Sequence, residues 1–600
     1  PKPCLYFSPC HKGRIAVAMV ICSNKNVSVP LIGREIGPET MCQDRGQIGI
    51  AIDSMGTMPS SSVLLYRISR QTLLTAAILV VAGCGRGGGA PAVSSDNNPP
   101  SNSDGNSAVW VPDVFEPAVN FENRCVVPRT GTDPRTGGQF PDVTGTTLDE
   151  NNWLRSWSND LYLWYDEIVD QNPADFTTAE YFEVLKTSEI TPSGNPKDRF
   201  HFSLSTEEWH ALSQSGVSAG YGATFSVIAA SPPRQVVVAY TEPNSPATTG
   251  PVNLARGASI LAIDGVDMVE ASDDASVAVL NAGLFPSEPG ESHEFTVQDL
   301  GSSTSRSFSM VSATITSVPV QNVDTVATSS GAVGYMLFND HIATSEQQLM
   351  DAVDSLLGAD ITDLVVDLRY NSGGFLDIAN ELAYMVAGAG PTAGQTFDEL
   401  RLNDKHTVFN PVTGRLLQPT PFHTTALGFS APGGQNLPTL DLSRVFVLTG
   451  PGTCSASEAF INGLRGVDVE VIQIGSTTCG KPYGFYEGAN CGTSYFSIQF
   501  KGVNAKGFGD YTDGFSPENV VEIEGTPIPG CSVADDFTHA LGDRDEARLS
   551  AALAYRIDQS CPSPSGLSDR TLLRAKVDLS AVDGHIHKSP WLTNRIMGRR

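Results

Sequence analysis

The chain has 600 residues, 40% of them hydrophobic and 17% charged, with 66 acidic against 38 basic side chains and a formal net charge of −28. Such a length leaves room for about three or four domains, and the apolar share is ample for real cores. With no basic stripe to offset phosphate repulsion, nucleic acid is excluded as a partner, and the acidity itself mainly maintains solubility.

Residues 1–54 show no hydrophobic period and read as a doubtful leader, upstream of the mature protein. Arg67 and Arg70 then precede the apolar run Thr72–Val81. That run falls short of the roughly 20 residues needed to span a bilayer; a charged front and an apolar middle fit a secretory signal. It ends in Val81-Ala82-Gly83-Cys84, which resembles a bacterial lipobox. The resemblance implies a signal peptide over 55–84, lipid on Cys84 and a periplasm-facing anchor on the bacterial cell envelope. A buried helix ended by glycine is the other reading. Residues 85–144 open with GRGGGAPAVSSDNNPPSNSDGNS, too poor in apolar surface to fold, and are expected to be a flexible tether. Beyond Cys84 and the leader, Cys125, Cys454, Cys479, Cys491, Cys531 and Cys561 remain. An even number in an exported chain points to disulfides. Cys479 with Cys491 could close a hairpin and Cys531 with Cys561 could clip the last helix. Zinc is disfavoured because no paired CxxC spacing occurs.

The folded body is expected to begin near residue 145 with a helical region to 212. Trp153, Trp157, Leu161 and Trp164 recur at helical spacing and read as a packing stripe. Asp198–Phe202 reads as an extended link. Residues 213–315 alternate short β-rich runs (223–227, 235–240 and 259–263) with turns. Gly220-Tyr221-Gly222-Ala223 resembles the carboxylate-binding loop of a PDZ domain. Asn244-Ser245-Pro246-Ala247 and the stretch from Gly257 to Gly265 resemble signatures of the processing-protease type of PDZ, with Ala258 where Asp is usual. The resemblance implies a module that adds a peptide as an extra strand and holds its terminal carboxylate on backbone N–H groups. Any small β-barrel is the alternative.

From 316 to 565 the pattern becomes α/β, followed by a tail over 566–600. Strands are expected over 334–338, 361–369, 445–449 and 469–474, with helices over 345–357 and 376–386. Alternating strands and helices imply an open, mainly parallel sheet with its site at the carboxyl ends of the strands. Two strand ends run into small-residue turns, Asn371-Ser372-Gly373-Gly374 and GPGTCS over 450–455. Glycine-rich turns allow close backbone approach and free N–H groups, as an oxyanion hole requires.

VVDLRYNSGG, GTCSASEAF and IGSTTCGKPYG, in that order, resemble the three hallmarks of the C-terminal processing, or tail-specific, serine proteases. The likeness covers roughly residues 150–560. It implies a crotonase-like or ClpP-like α/β protease core with an inserted PDZ and an N-terminal helical region. By the same resemblance Ser455 is the nucleophile, Lys481 its general base, and the N–H groups of Gly373 or Gly374 with Ala456 the oxyanion hole. No cofactor or metal is implied.

The chemistry is coherent on its own terms. A serine hydroxyl needs a base to take its proton, and a lysine serves only if burial disfavours its ammonium form. The sequence departs from the family in places. Phe485 stands where a glutamine often orients the lysine, and an aspartate common in the helix after the nucleophile aligns near Gly466, with Asp468 two residues on. A cysteine directly before the nucleophile is unusual. His201, His406 and His423 leave open a histidine-based, tricorn-like triad. Expected partners are proteins or peptides with exposed C-termini, the membrane through the lipid anchor, and an adaptor protein. A non-catalytic PDZ-containing peptide-binding lipoprotein on the same scaffold is the alternative function.

Overall fold

The computed structural model describes residues 110–520 and 525–562, together with strands Cys4–Cys10, Arg14–Val20 and Arg595–Met597. The expectations for Cys84, the signal region, the tether up to residue 109 and most of the tail fall outside these residues. Residues 1–104 are one unit and 105–600 another. In the first, Cys4–Cys10 and Arg14–Val20 pair as an antiparallel hairpin, in a stretch where the sequence shows no period. Among the described residues no helix is long and apolar enough to cross a membrane.

In the second unit, Thr146 caps the helix Thr147–Leu161, its side chain accepting from Asp149 N while Asp149 reaches back to Thr146 N. Trp153 and Trp157 stack with ring centroids 5.4 Å apart, as their spacing predicts. Trp164 does not share their helix. Tyr162 turns the chain out into an extended conformation, and Leu163 N donates to Ile498 O at 2.8 Å, so Trp164 packs edge-on against Tyr483 instead.

Residues 223–311 build an antiparallel sheet in the order 306–311, 292–298, 259–263, 235–241 and 223–229, with the helix Asp274–Leu284 against it. Its own core includes Phe225, Val238, Ile260, Leu280 and Phe295. Arg256 ties this sheet to the rest of the unit, donating to Asp535 Oδ1 and to the Tyr370 hydroxyl, both at 2.6 Å.

The site rests on a six-stranded sheet of β1 (Val320–Thr328), β2 (Gly331–Phe338), β3 (Asp363–Asp367), β4 (Arg444–Thr449), β5 (Glu470–Gly475) and β6 (Gly530–Ser532), in that spatial order. Only β1 to β2 is antiparallel. Alternate side chains serve two layers. Met336, Phe338, Leu364, Val366, Val445 and Val447 face α1 (Ser345–Gly358), α2 (Leu376–Ala387) and α3 (Ala456–Gly466). Tyr335, Leu337, Val365, Phe446, Leu448 and Ile472 face α4 (Ala547–Asp558). Burial on both faces explains why these strands read as continuous apolar runs, and each fully buried Val, Leu, Ile or Phe side chain contributes about 1.5–3 kcal/mol.

Three disulfides brace the unit: Cys125–Cys491, Cys454–Cys479 and Cys531–Cys561. The last matches the sequence expectation, whereas Cys479–Cys491 is not formed. Cys491 lies at the tip of the hairpin formed by 488–490 and 493–496, where the N-terminal segment around Cys125 crosses it, while Cys479 faces the buried Cys454.

Candidate active site

β4 ends at Thr449, and the chain turns through Gly450–Cys454 into α3. Thr453 Oγ1 clamps that turn, donating to Leu368 O at 2.7 Å and accepting from Gly450 N at 2.9 Å. Ser455 follows as the residue before the first helical turn, with φ 65° and ψ −114°. A non-glycine residue held there costs about 1–3 kcal/mol and persists only where its surroundings over-determine it. Its Oγ is buried and has no hydrogen-bond partner among the described residues. A hydroxyl carried on a strained strand-to-helix turn has the backbone setting of a nucleophile elbow. Ala456, first in the helix, has an N–H with no intrahelical acceptor.

The second turn leaves β5 at Gly475 and reaches Lys481 through Thr477-Thr478-Cys479-Gly480. Gly480 has φ 84°, and a Cβ there would stand 2.3 Å from Thr512 O, so the residue before the lysine must be glycine. Lys481 is fully buried. Its Nζ lies 4.3 Å from the Phe485 ring centroid and 4.9 Å from that of Phe200, so the position where glutamine was expected presents an aromatic face. Gly466 ends α3, far along the helix from Ser455, and Asp468 pairs with Lys506 at the surface, so neither orients the lysine.

Glu458 joins the two turns. Its Oε2 accepts from Ser455 N at 2.9 Å and Lys481 N at 2.8 Å; its Oε1 accepts from Gly480 N at 2.8 Å and Thr478 Oγ1 at 2.5 Å. Burial pushes this carboxyl above its ordinary range, and the four donors act in the opposite direction. The Cys454–Cys479 disulfide and a hydrogen bond from Cys479 N to Thr453 O at 3.0 Å join the same turns.

The glycine turn beyond β3 lies alongside. Asn371 O accepts from Cys454 N at 3.2 Å and Ser457 Oγ at 3.1 Å, while Asn371 Oδ1 accepts from Gly373 N at 2.9 Å. Gly373 N–H is thereby committed to a side chain. Gly374, with φ 138° and His341 O where a Cβ would clash at 2.3 Å, directs its N–H to the other edge of the strand. That edge takes the extended segment Arg595–Met597 as a parallel strand along Gly373–Phe375. His341 Nδ1 lies 3.0 Å from Asn371 Oδ1, and burial pushes the imidazole down to about 3, so it stays neutral.

Residues 332–484, which contain both turns and the glycine strand, match the family model described as Peptidase family S41. Over this segment the chain is similar to peptidase family S41. No curated protein matches the chain. Among solved structures, a putative S41 protease from Bacteroides fragilis NCTC 9343 aligns at 21% identity with TM-score 0.50, over 70% of this chain and 97% of its own. The photosystem II D1 C-terminal processing protease aligns at 16% identity with TM-score 0.37, over 68% of this chain and 100% of its own.

The matched segment links the turns of Ser455 and Lys481 through Glu458, and the turn of Gly373 and Gly374 to them through Asn371. Gly220, Tyr221, Gly222 and Ala223 lie apart from it, in the turn between strands 217–220 and 223–229. There Gly222 has φ 73°, and a Cβ would meet Ser245 at 2.2 Å. The three candidate histidines serve other sites. His201 Nε2 meets Phe182 O, His406 Nε2 meets Asp160, and His423 Nε2 meets Asp377 Oδ1 at 2.9 Å. Among the described residues, Cys454, Glu458 and Cys479 have a metal-like spacing, but the two sulfurs are joined and offer no thiolate. The motifs contained Glu458 and Asn371, to which the sequence assigned no role. A glutamate three residues past a serine N-cap is the capping-box signal that marked the first of them.

Proposed function

We propose that the chain is a serine endopeptidase of the C-terminal processing type, with Ser455 as nucleophile and Lys481 as base. One observation carries this reading: a single buried carboxylate oxygen of Glu458 binds the backbone N–H groups of both residues, beside the glycine strand. The amine of Lys481 takes the Ser455 proton as Oγ attacks the scissile carbonyl. The oxyanion would form against the N–H groups of Gly374 and Ala456, at the positive end of α3, once the segment Arg595–Met597 leaves the Gly373–Phe375 edge. Collapse expels the amine, which receives the proton from Lys481, and water then hydrolyses the acyl ester by the same relay. Ser455 and Lys481 are both fully buried, so the cleft must open to admit substrate.

In this reading the sheet over 223–311 is a PDZ module whose Gly220–Ala223 turn holds a substrate's terminal carboxylate. Free-acid peptides should bind more tightly than amidated ones, and equal affinity would remove that role. Lipid on Cys84 would hold the enzyme at the periplasmic face of the envelope; identical detergent partition of the wild type and Cys84→Ser would dismiss the anchor. The direct test of the activity is a serine-reactive fluorophosphonate probe. Labelling mapped to Ser455 and abolished in Ser455→Ala is the expected result. No labelling of folded protein would favour a peptide-binding lipoprotein with an inert site.

A further inference from the structure

Cys454 immediately precedes the nucleophile, and Cys479 stands two residues before the base. Their disulfide closes a ring over a sequence separation of 25, which carries the nucleophile turn, all of α3, β5 and the base turn. Cys454 N also donates to Asn371 O of the glycine turn, and Cys479 N to Thr453 O. The bond therefore joins the nucleophile and base turns, and the main chain of Cys454 adds a hydrogen bond to the glycine turn. The other two disulfides stand elsewhere: Cys125–Cys491 fixes the N-terminal segment to a hairpin, and Cys531–Cys561 fixes β6 to the chain beyond α4.

We propose that Cys454–Cys479 is a covalent positioning element for the Ser455–Lys481 pair, and that its reduction by a dithiol switches the peptidase off. The inference rests on the dyad reading above. Ser455, with its positive φ, directly follows the disulfide-bonded Cys454. Breaking the bond frees the turn to relax and carries Oγ away from the base. The Glu458 hydrogen bonds and the main-chain bond from Cys479 N to Thr453 O then remain as the links between the two turns, none of them covalent.

The two cysteine residues differ in exposure. Cys454 is completely buried among Tyr162, Phe200, Tyr483 and Ile498, whereas Cys479 is partly exposed. A thiolate of the dithiol attacks Cys479 Sγ; the S–S bond breaks, and Cys454 leaves as a thiolate and takes up a proton. The second thiol of the reductant attacks the mixed disulfide, releasing Cys479 as a thiolate that is protonated in turn. Two electrons and two protons pass to the cysteines, and the dithiol becomes a disulfide. The Arg199 guanidinium, donating to Cys479 O, places a positive charge near the thiolate released in that last step.

The test uses the full chain, oxidised or exposed to dithiothreitol without denaturant, with alkylation and peptide mapping to report which cysteines are reduced. Peptide cleavage gives kcat and KM, and circular dichroism reports folding. As Cys454 and Cys479 become alkylated, kcat should fall at least tenfold with KM within about twofold, and a disulfide oxidant should restore it. Cys531→Ala/Cys561→Ala should keep the oxidised kcat and the same dithiol response. Cys454→Ala/Cys479→Ala should be slow and indifferent to dithiol. If that variant does not fold, the reduction series on the wild type decides alone. Unchanged kcat with Cys454 and Cys479 reduced would overturn the proposal, as would a loss that only tracks loss of secondary structure. Absence of Ser455-dependent cleavage in the oxidised protein would instead refute the peptidase reading itself.

Discussion

Glu458→Gln changes one atom of the site and bears on the whole arrangement. The carboxylate accepts from four donors, two on each oxygen. An amide must place an NH2 group at one of those positions. At Oε2 it would face Ser455 N–H and Lys481 N–H and orphan both. At Oε1 it orphans only Gly480 N–H, because the Thr478 hydroxyl, which already accepts from Phe515 N at 2.8 Å, can turn its own hydrogen away. The second orientation is favoured. It leaves one buried N–H unsatisfied, at about 1–3 kcal/mol, and reduces the remaining bonds from charge-assisted to neutral strength. Removing a buried charge offsets part of this, since burial already disfavours the ionised form. A distortion of about 1–3 kcal/mol at the dyad corresponds to a kcat roughly 5- to 150-fold lower. Glu458→Ala, which abandons all four donors, should fall further. The folded carboxyl sits above its ordinary range, so acid should reproduce the glutamine effect: wild-type kcat falls as pH drops through that raised value, and the Glu458→Gln variant lacks this limb. Peptide cleavage across pH, with thermal melts as a folding control, measures it. Wild-type kcat in folded Glu458→Gln and Glu458→Ala would refute the positioning argument.

Arg369 is fully buried and pairs with Asp367 at 2.9 Å and with Asp535 and Glu546 at 2.7 Å. Arg369→Leu strands those carboxylates and should cost about 3–5 kcal/mol in urea unfolding. Burial pushes Asp535 and Glu546 up, but Arg369 and its neighbours more than offset this and hold both below the carboxylate range. Their contribution is present at neutral pH and lost as pH falls through the folded values, so wild-type stability should decline in acid more steeply than that of the variant. Asp398 behaves oppositely: burial, with Glu399 adding to it, pushes the carboxyl up to about 7. The stability penalty grows as pH rises from about 4 to 7, towards about 4 kcal/mol, and Asp398→Asn should raise the melting temperature at pH 8 while changing little at pH 4.

The core sheet was readable because its strands are buried on both faces, so Val365–Val366 and Val445–Leu448 stand out as apolar runs between glycine-rich turns. The two turns bearing Ser455 and Lys481 were readable for the same reason. What the sequence could not supply depends on segments distant in the chain. Cys491 pairs across a separation of 366 residues, so proximity to Cys479 was a poor guide. β6 is three residues long and adds to the sheet edge beside β5, too short to register as a run. Trp164 kept the helical spacing, but a hydrogen bond to Ile498 had already pulled the chain off the helix. The role of Glu458 appears only once β4 and β5 lie side by side, since a glutamate at that position otherwise reads as a helix cap.

The most direct measurement of the central claim is the cleavage rate of one peptide by Ser455→Ala, Lys481→Ala, the double alanine variant and Lys481→Arg, each with folding verified. Residues acting as one unit are non-additive, so each alanine variant should lose about as much activity as the double. Lys481→Arg should be nearly as slow although it keeps the charge, because a guanidinium does not deprotonate to accept the Ser455 proton. Turnover at the wild-type rate in folded Lys481→Arg would contradict the account and remove Lys481 as the base.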